Sequence, residues 1–219
     1  MFDRIALSYD RINRILSLGQ DLRWRKTLAY FLPAKPHLEL LDLATGTGDQ
    51  VLAALKMHPS IARVVGVDLS SQMLEQARRK LSSNSKVHFL TADATHLPFS
   101  NESFDAVSCS FGIRNMPDSM KALKEMHRVL RPGGTALILE FAVPRFPIRP
   151  FVLFYLRHIL PKVGGYLSAD HSAYTYLNQT IESYPSGTAF LNWMKEAGFK
   201  TASWKKLSFG AVGLYIGIK

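Results

Sequence analysis

The apolar positions of this chain change period several times, and each change marks an element. Between residues 3 and 17, Ile5, Leu7, Ile12, Ile15 and Leu16 fall at mixed helical spacings among arginines. Leu22 to Leu32 predicts a second helix, ended by Pro33 and Pro36. From Leu38 the pattern becomes a continuous apolar run, so Leu38 to Leu43 predicts a buried strand, followed by a helix from Asp49 to Met57 that His58-Pro59 stops. Ile61 to Val67 predicts a second strand ending in Asp68, with Ser70 capping a helix over Gln72 to Leu81. Val87 to Leu90 and Phe104 to Cys109 predict strands three and four. Asp118 to Leu130 predicts a helix with Met120, Leu123, Met126, His127 and Leu130 on one face. Arg131-Pro132-Gly133-Gly134 then reads as a hard turn before a fifth strand, Thr135 to Leu139.

After Glu140 the rhythm breaks. Residues 144 to 150 carry three prolines and two arginines, and Phe151 to Leu160 is almost wholly apolar and aromatic. Gly164-Gly165 and the aromatics Tyr174 and Tyr176 follow, so this stretch reads as an insertion. Phe190 to Ala197 predicts a last helix, and Lys200 to Leu207 and Val212 to Ile218 predict two closing strands. Alternating strands and helices imply an α/β fold, a doubly wound, mostly parallel sheet of seven strands. The expected organisation is a single domain over residues 1 to 219, with an amino-terminal helical cap (1 to 36) and a substrate or lid insertion (144 to 186).

Composition narrows the class. The 219 residues are 47% hydrophobic and 20% charged, as in an ordinary globular domain. Cys109 is the only cysteine, which excludes an internal disulfide and a cysteine-based metal cluster and suits a reducing, cytoplasmic setting. No signal peptide is apparent, and no apolar run reaches the ~18 residues of a spanning helix. The net charge of +10 points to an anionic partner, a nucleic acid or an anionic membrane surface. Arg78-Arg79-Lys80, at the end of a predicted helix, reads as solvated surface that complements the helix dipole.

Gly46-Thr47-Gly48 sits between the first strand and its helix, where glycine lets backbone approach a ligand closely. Val51 occupies the third small position of a dinucleotide fingerprint, and no Gly-Lys-Ser/Thr follows as in a phosphate-binding loop. With acidic Asp49 alongside, the turn suits a ligand carrying positive charge better than one carrying phosphates. Ligands of doubly wound sheets sit beyond the carboxyl ends of the strands. Asp68 lies 20 residues after Gly48, the offset at which an acid accepts hydrogen bonds from a ribose diol. Asp93, beside Ala94, is placed to take a donor such as an adenine amino group. Each acid alone is also an ordinary turn or cap residue.

Several segments together resemble the class I S-adenosylmethionine-dependent methyltransferases and, within them, the quinone-biosynthesis C-methyltransferases. They are Tyr9-Asp10-Arg11-Ile12-Asn13 with Ser17 and Trp24; Leu41 to Asp49; Ala92-Asp93-Ala94 with Leu97-Pro98-Phe99; Ser110-Phe111-Gly112-Ile113-Arg114-Asn115; Arg128 to Gly134 with Leu139-Glu140-Phe141; Tyr174, Tyr176 and Leu177; and Ala197-Gly198-Phe199. The glycine turn and the Pro-Gly-Gly run mark only the superfamily, whereas the Phe111 to Asn115 segment and the Tyr9-Asp10 signature mark the quinol group. The chain departs from the family pattern at Thr45, usually glycine, at Asp21 and Tyr215, usually histidines, and at Ile12 and Ala142.

The resemblance implies S-adenosylmethionine as cosubstrate. Gly46, Thr47 and Gly48 would hold the methionine moiety and ribose, Asp68 the ribose hydroxyls, and Asp93 and Ala94 the adenine. Ser110 would lie beside the cosubstrate, and Asp42 would organise the glycine turn or meet the amino group. It also implies a prenylated quinol acceptor, demethylmenaquinol or a polyprenyl benzoquinol. Arg114 would stabilise the oxyanion that develops on the quinol, with Asn115, Tyr9 and His171 as secondary candidates. No nucleic-acid partner is expected, peripheral contact with an anionic membrane at its inner face is, and a homodimer is left open. Two competing readings stand beside it. One is a nucleobase methyltransferase, which would typically carry an Asn/Asp-Pro-Pro-aromatic segment after strand four, where this chain has Ser110 to Asn115. The other is a non-catalytic, cofactor-binding or membrane-associated scaffold.

Overall fold

The computed structural model of the chain describes residues 9–168, 178 and 180–219. His171, Tyr174, Tyr176 and Leu177 of the sequence reading lie outside them, as do Ile5 and Leu7. Two helices, α1 (Tyr9–Leu16) and α2 (Gln20–Tyr30), precede β1 (Glu39–Leu43). Then α3 (Asp49–Met57), β2 (Arg63–Asp68), α4 (Ser71–Lys80), β3 (Val87–Thr91) and β4 (Phe104–Ser110) follow in turn. A short 3-10 turn at Ile113–Asn115 leads to α5 (Ser119–Val129) and β5 (Leu130–Phe141). Among the described residues one sheet of seven strands forms, in the order β3-β2-β1-β4-β5-β7-β6, closed by β6 (Thr201–Leu207) and β7 (Val212–Ile218). β1 to β5 pair in parallel, and β7 runs antiparallel between β5 and β6.

Strand alternation sends side chains to two cores. Leu41, Leu43, Val65, Val67, Val107 and Ile138 face one layer, which takes in Leu123 and Met126 of α5. Leu40, Val64, Ala106, Leu137 and Leu139 face the other, which takes in Trp24 and Leu28 of α2 and Val51 and Ala54 of α3. Burial on both faces accounts for the continuous apolar runs in the sequence. Ser70 caps α4 by accepting from Met73 N at 3.1 Å, and Asp118 caps α5 by accepting from Lys121 N at 2.8 Å.

Two expectations change. The Arg131 to Gly134 run is not a turn ahead of the fifth strand but lies inside it. Leu130 already pairs with Phe104, the register shifts, and Thr135 resumes opposite Ala106. The run is therefore a bulge within β5, tolerated because its backbone meets the chain end: Gly133 N donates to the Lys219 carbonyl at 3.2 Å, and Lys219 N to the Gly134 carbonyl at 3.0 Å. The aromatic insertion also divides. It forms α6 (Arg149–Phe154), a π-helical turn at Tyr155–Ile159, and α7 (Leu160–Ser168). Leu156 and Leu160 are buried with Ile12 and Ile181, while Phe151 and Phe154 stay 73% and 58% exposed. The last helix, α8, spans Thr188–Glu196. No helix among the described residues is long and apolar enough to cross a membrane.

Candidate active site

The strand order reverses between β1 and β4, and a cavity of about 180 Å³ opens beyond the carboxyl ends of the strands there. Gly46, Asp68, Asp93, Ala94 and Ser110 line it, as do Tyr9 and Asn115. Leu69, Met73 and Met116 complete its apolar wall, and no motif in the sequence marks them. Phe111 and Gly112 belong to it too; a Cβ on Gly112 would stand 2.3 Å from that of Ala44, so the loop after β4 packs this closely only with glycine there.

Asp68 shapes the site by binding backbone at both oxygens. Its Oδ2 accepts from Gly46 N and its Oδ1 from Ser70 N, each at 2.9 Å. The carboxylate thus ties the glycine turn to the start of α4 at the wall of the cavity. Gly46 and Gly48 have φ of 55° and 83°, the left-handed region that glycine adopts without strain. Ala44 (φ 49°) is left-handed as well, whereas Thr45, at the position usually glycine, is not. Thr45 instead donates its hydroxyl to Asp42 at 2.6 Å. Asp93 accepts from Thr95 N at 2.8 Å, a bond that holds its carboxyl below the usual range.

Three of the cofactor candidates do not line the cavity. Asp42 is buried in register with Ser108 and accepts its hydroxyl at 2.6 Å. Burial raises its pKa to about 6, against the opposing hydrogen bonds of Ser108 and Thr45. Its place is beneath the turn, which it braces through Thr45. Thr47 turns its hydroxyl to Asp10 at 2.5 Å, and Gly48 backs onto Ala77 of α4 and Leu81 just after it. Asp49, read as a group for a positive ligand, is spent internally. It accepts from Lys80 at 2.6 Å and from Arg14 at 2.5 Å. Lys80 also meets Asp10 at 2.6 Å, so the end of α4 joins α1 to the glycine turn and is not merely solvated surface. Arg14 reaches Asp21 as well, which accounts for an acid at that departure position.

Arg114 is placed behind the wall. Its side chain is 5% exposed and ion-paired with Glu140, itself 1% exposed, and its Nη1 donates to the Phe111 carbonyl at 3.1 Å. The guanidinium lies 5.3 Å from the centroid of Phe141, whose ring packs on Phe111 at 4.6 Å. Arg25 covers Phe111 at 5.5 Å. Two arginines therefore bracket two rings at the ends of β4 and β5. Arg25 carried no motif of its own; a lone arginine beside buried Trp24 was the only signal.

A doubly wound sheet of this order, whose glycine turn and strand-end acids face one cavity at the switch point, defines a class I S-adenosylmethionine-dependent methyltransferase. Solved structures share the fold: an S-adenosylmethionine-dependent methyltransferase from Thermotoga maritima (TM-score 0.71, 21% identity, 100% of this chain and 98% of that one) and another from Aquifex aeolicus (TM-score 0.68, 15% identity, 95% and 97%). The chain belongs to the ubiE/COQ5 methyltransferase family, which it matches over residues 1–219. It is similar to the demethylmenaquinone methyltransferases of Thermus thermophilus (43% identity, 99% of each chain) and Bacteroides fragilis (40%, 100% of this chain and 91% of the relative). It is also 39% identical to the ubiquinone/menaquinone biosynthesis C-methyltransferase UbiE of Geotalea daltonii, over 100% of this chain and 94% of the relative.

S-adenosylmethionine is the methyl donor of this enzyme class, and the residues present fit it. A Cβ built on Gly46 meets no protein atom within 4 Å, which leaves an open cradle beside the Asp68 carboxylate. When bound, the donor supplies an electrophilic methyl group on a sulfonium.

Proposed function

We propose that this enzyme methylates a ring carbon of a prenylated quinol, converting demethylmenaquinol to menaquinol in menaquinone biosynthesis. Full-length similarity near 40% to relatives that carry that name is the observation that carries the reading. In this reading Asp68 accepts from the ribose diol, Asp93 and Ala94 hold the adenine, and Gly46 and Ser110 flank the methionine end. Gly48 allows the turn, while Asp42 and Thr47 support it from outside the cavity.

The acceptor carbon must stand in line with the methyl, ~3 to 3.5 Å away, so positioning supplies much of the rate. Tyr9 and Asn115 line the cavity beside Ser110 and are the catalytic candidates that reach a bound quinol. Loss of the quinol proton activates the ring carbon, and a phenol of pKa ~10 needs stabilisation of its oxyanion. Arg114 acts as a positioning residue here: paired with Glu140, it holds the Phe111 carbonyl and presents Asn115 to the cavity. Methyl transfer to reduced naphthoquinol and benzoquinol acceptors, assayed side by side with an RNA control, tests the reading. Methylation of the naphthoquinol is expected. Activity on RNA alone, or on neither quinol, overturns it; preference for the benzoquinol selects the ubiquinone step.

The cap (residues 1 to 36) and the insertion (144 to 186) form the substrate side in this reading. Tyr155 donates its hydroxyl to the Leu16 carbonyl at 2.5 Å, joining α1 to the insertion. The exposed Phe151 and Phe154, with Arg145 and Arg149 nearby, suit peripheral contact with an anionic membrane. Replacing both phenylalanines by serine is expected to lower binding to anionic vesicles about tenfold in cosedimentation, without changing the unfolding midpoint. Unchanged binding removes the membrane from the reading.

A further inference from the structure

Arg25 on α2 is 8% exposed, and its Nε is buried with no hydrogen-bond partner. No ion pair of Arg25 occurs among the described residues. Arg114, the other arginine with an unpartnered Nε, has Glu140 for its charge. The acids whose titration Arg25 influences, Asp42 and Asp49, are already engaged: Asp42 by Ser108 and Thr45, Asp49 by Arg14 and Lys80. A guanidinium cannot shed its proton to relieve burial, so one with carboxylates near it but no direct ion-pair partner gains from an anion that completes it.

The place of Arg25 says which anion. Its guanidinium lies over Phe111, and Gln50 ties the Arg25 backbone to Ser110: Gln50 Nε2 donates to the Arg25 main-chain carbonyl at 3.4 Å, and Gln50 Oε1 accepts from the Ser110 hydroxyl at 2.9 Å. Phe111 and Ser110 both form cavity wall, at the end opposite Asp93. The cavity follows the strand ends from Asp93 after β3, past Asp68 on β2, to Gly46 and Ser110 at β1 and β4. A nucleoside with its base at Asp93 and its ribose at Asp68 directs its 5′ substituent toward the Ser110–Phe111 wall, on which the Arg25 guanidinium packs from outside the lining.

We infer that Arg25 binds the carboxylate of the cosubstrate's amino-acid tail, a charge-assisted contact that neutralises an arginine left unpaired by the protein itself. The inference rests on the ligand orientation proposed above. It assigns a residue outside the glycine turn to discrimination between carboxylated and decarboxylated donors.

Calorimetry on the purified enzyme tests it with two probes, S-adenosylhomocysteine and decarboxylated S-adenosylmethionine, the latter lacking the carboxylate. Arg25→Met is expected to weaken S-adenosylhomocysteine about tenfold or more and to leave the decarboxylated probe within about twofold. Without ligand, its unfolding midpoint should hold or rise, since the uncompensated cation is gone. Arg25→Lys, which keeps the charge without the planar fork, should recover part of the affinity, and it carries the comparison if the methionine variant fails to fold. Equal weakening of both probes, or no weakening of S-adenosylhomocysteine, overturns the inference. A wrong ligand orientation shows in Asp68→Ala, which leaves both probes within about threefold of wild type if the ribose does not sit at Asp68.

Discussion

Asp68→Ala is expected to lower affinity for S-adenosylhomocysteine by about 100-fold or more while the protein stays folded. The reason lies in the two jobs of one carboxylate. It accepts from Gly46 N and Ser70 N at 2.9 Å each, and it lines the cavity. Hydrogen bonds to a charged group contribute about 1.5 to 3 kcal/mol each, so two ribose hydroxyls without their acceptor account for at least two decades. Loss of the backbone bonds adds disorder of the glycine turn to that. The fold survives because β2 is held by Val64, Val65 and Val67, all buried. Asp68→Asn keeps one acceptor oxygen and should lose about tenfold. Calorimetry with a parallel unfolding curve is the measurement. Affinity within about threefold of wild type for the alanine variant would remove Asp68 from the ribose.

Breaking the Arg114–Glu140 pair is expected to destabilise the protein by about 3 to 5 kcal/mol, because either single change leaves a buried charge unpaired. Arg114→Met and Glu140→Leu should each show this in urea unfolding. Combined, they should recover most of the stability, since an apolar pair replaces an ionic one beside Phe141. Quinol turnover separates the roles. As a positioning residue, Arg114 supports turnover through its bond to the Phe111 carbonyl, which methionine cannot make, so the double variant should regain stability and recover turnover only to within about tenfold of wild type. Restored stability with turnover still ~100-fold down would show the guanidinium acting on the quinol oxyanion itself. Single variants costing under about 1 kcal/mol would contradict the burial argument.

Much of the architecture was legible because it depends on local pattern. The β-α alternation, the Ser70 and Asp118 caps and the switch-point glycine turn follow from near neighbours in the chain. So does the alignment of Asp68 and Asp93 at the ends of adjacent strands, a consequence of parallel register between β2 and β3. The Pro132-Gly133-Gly134 run misled because its outcome hangs on a distant partner. Its backbone bonds to Lys219, and nothing local signals that. The aromatic insertion was legible only as a single apolar run, which helical geometry splits into a buried side and an exposed one.

The sequence by itself determined the fold class, the position of the cosubstrate turn and the family resemblance, since period, caps and motif spacing are carried by residues close together in the chain. Only the tertiary structure decided which polar groups remain available to a ligand. Asp42, Thr47 and Asp49 are engaged by Ser108, Asp10, Arg14 and Lys80, and Arg114 is engaged by Glu140. Arg25, without a motif, keeps a buried Nε with no hydrogen-bond partner. Those pairings join residues tens of positions apart, and a buried charge selects its partner by packing and desolvation, which no spacing along the chain encodes.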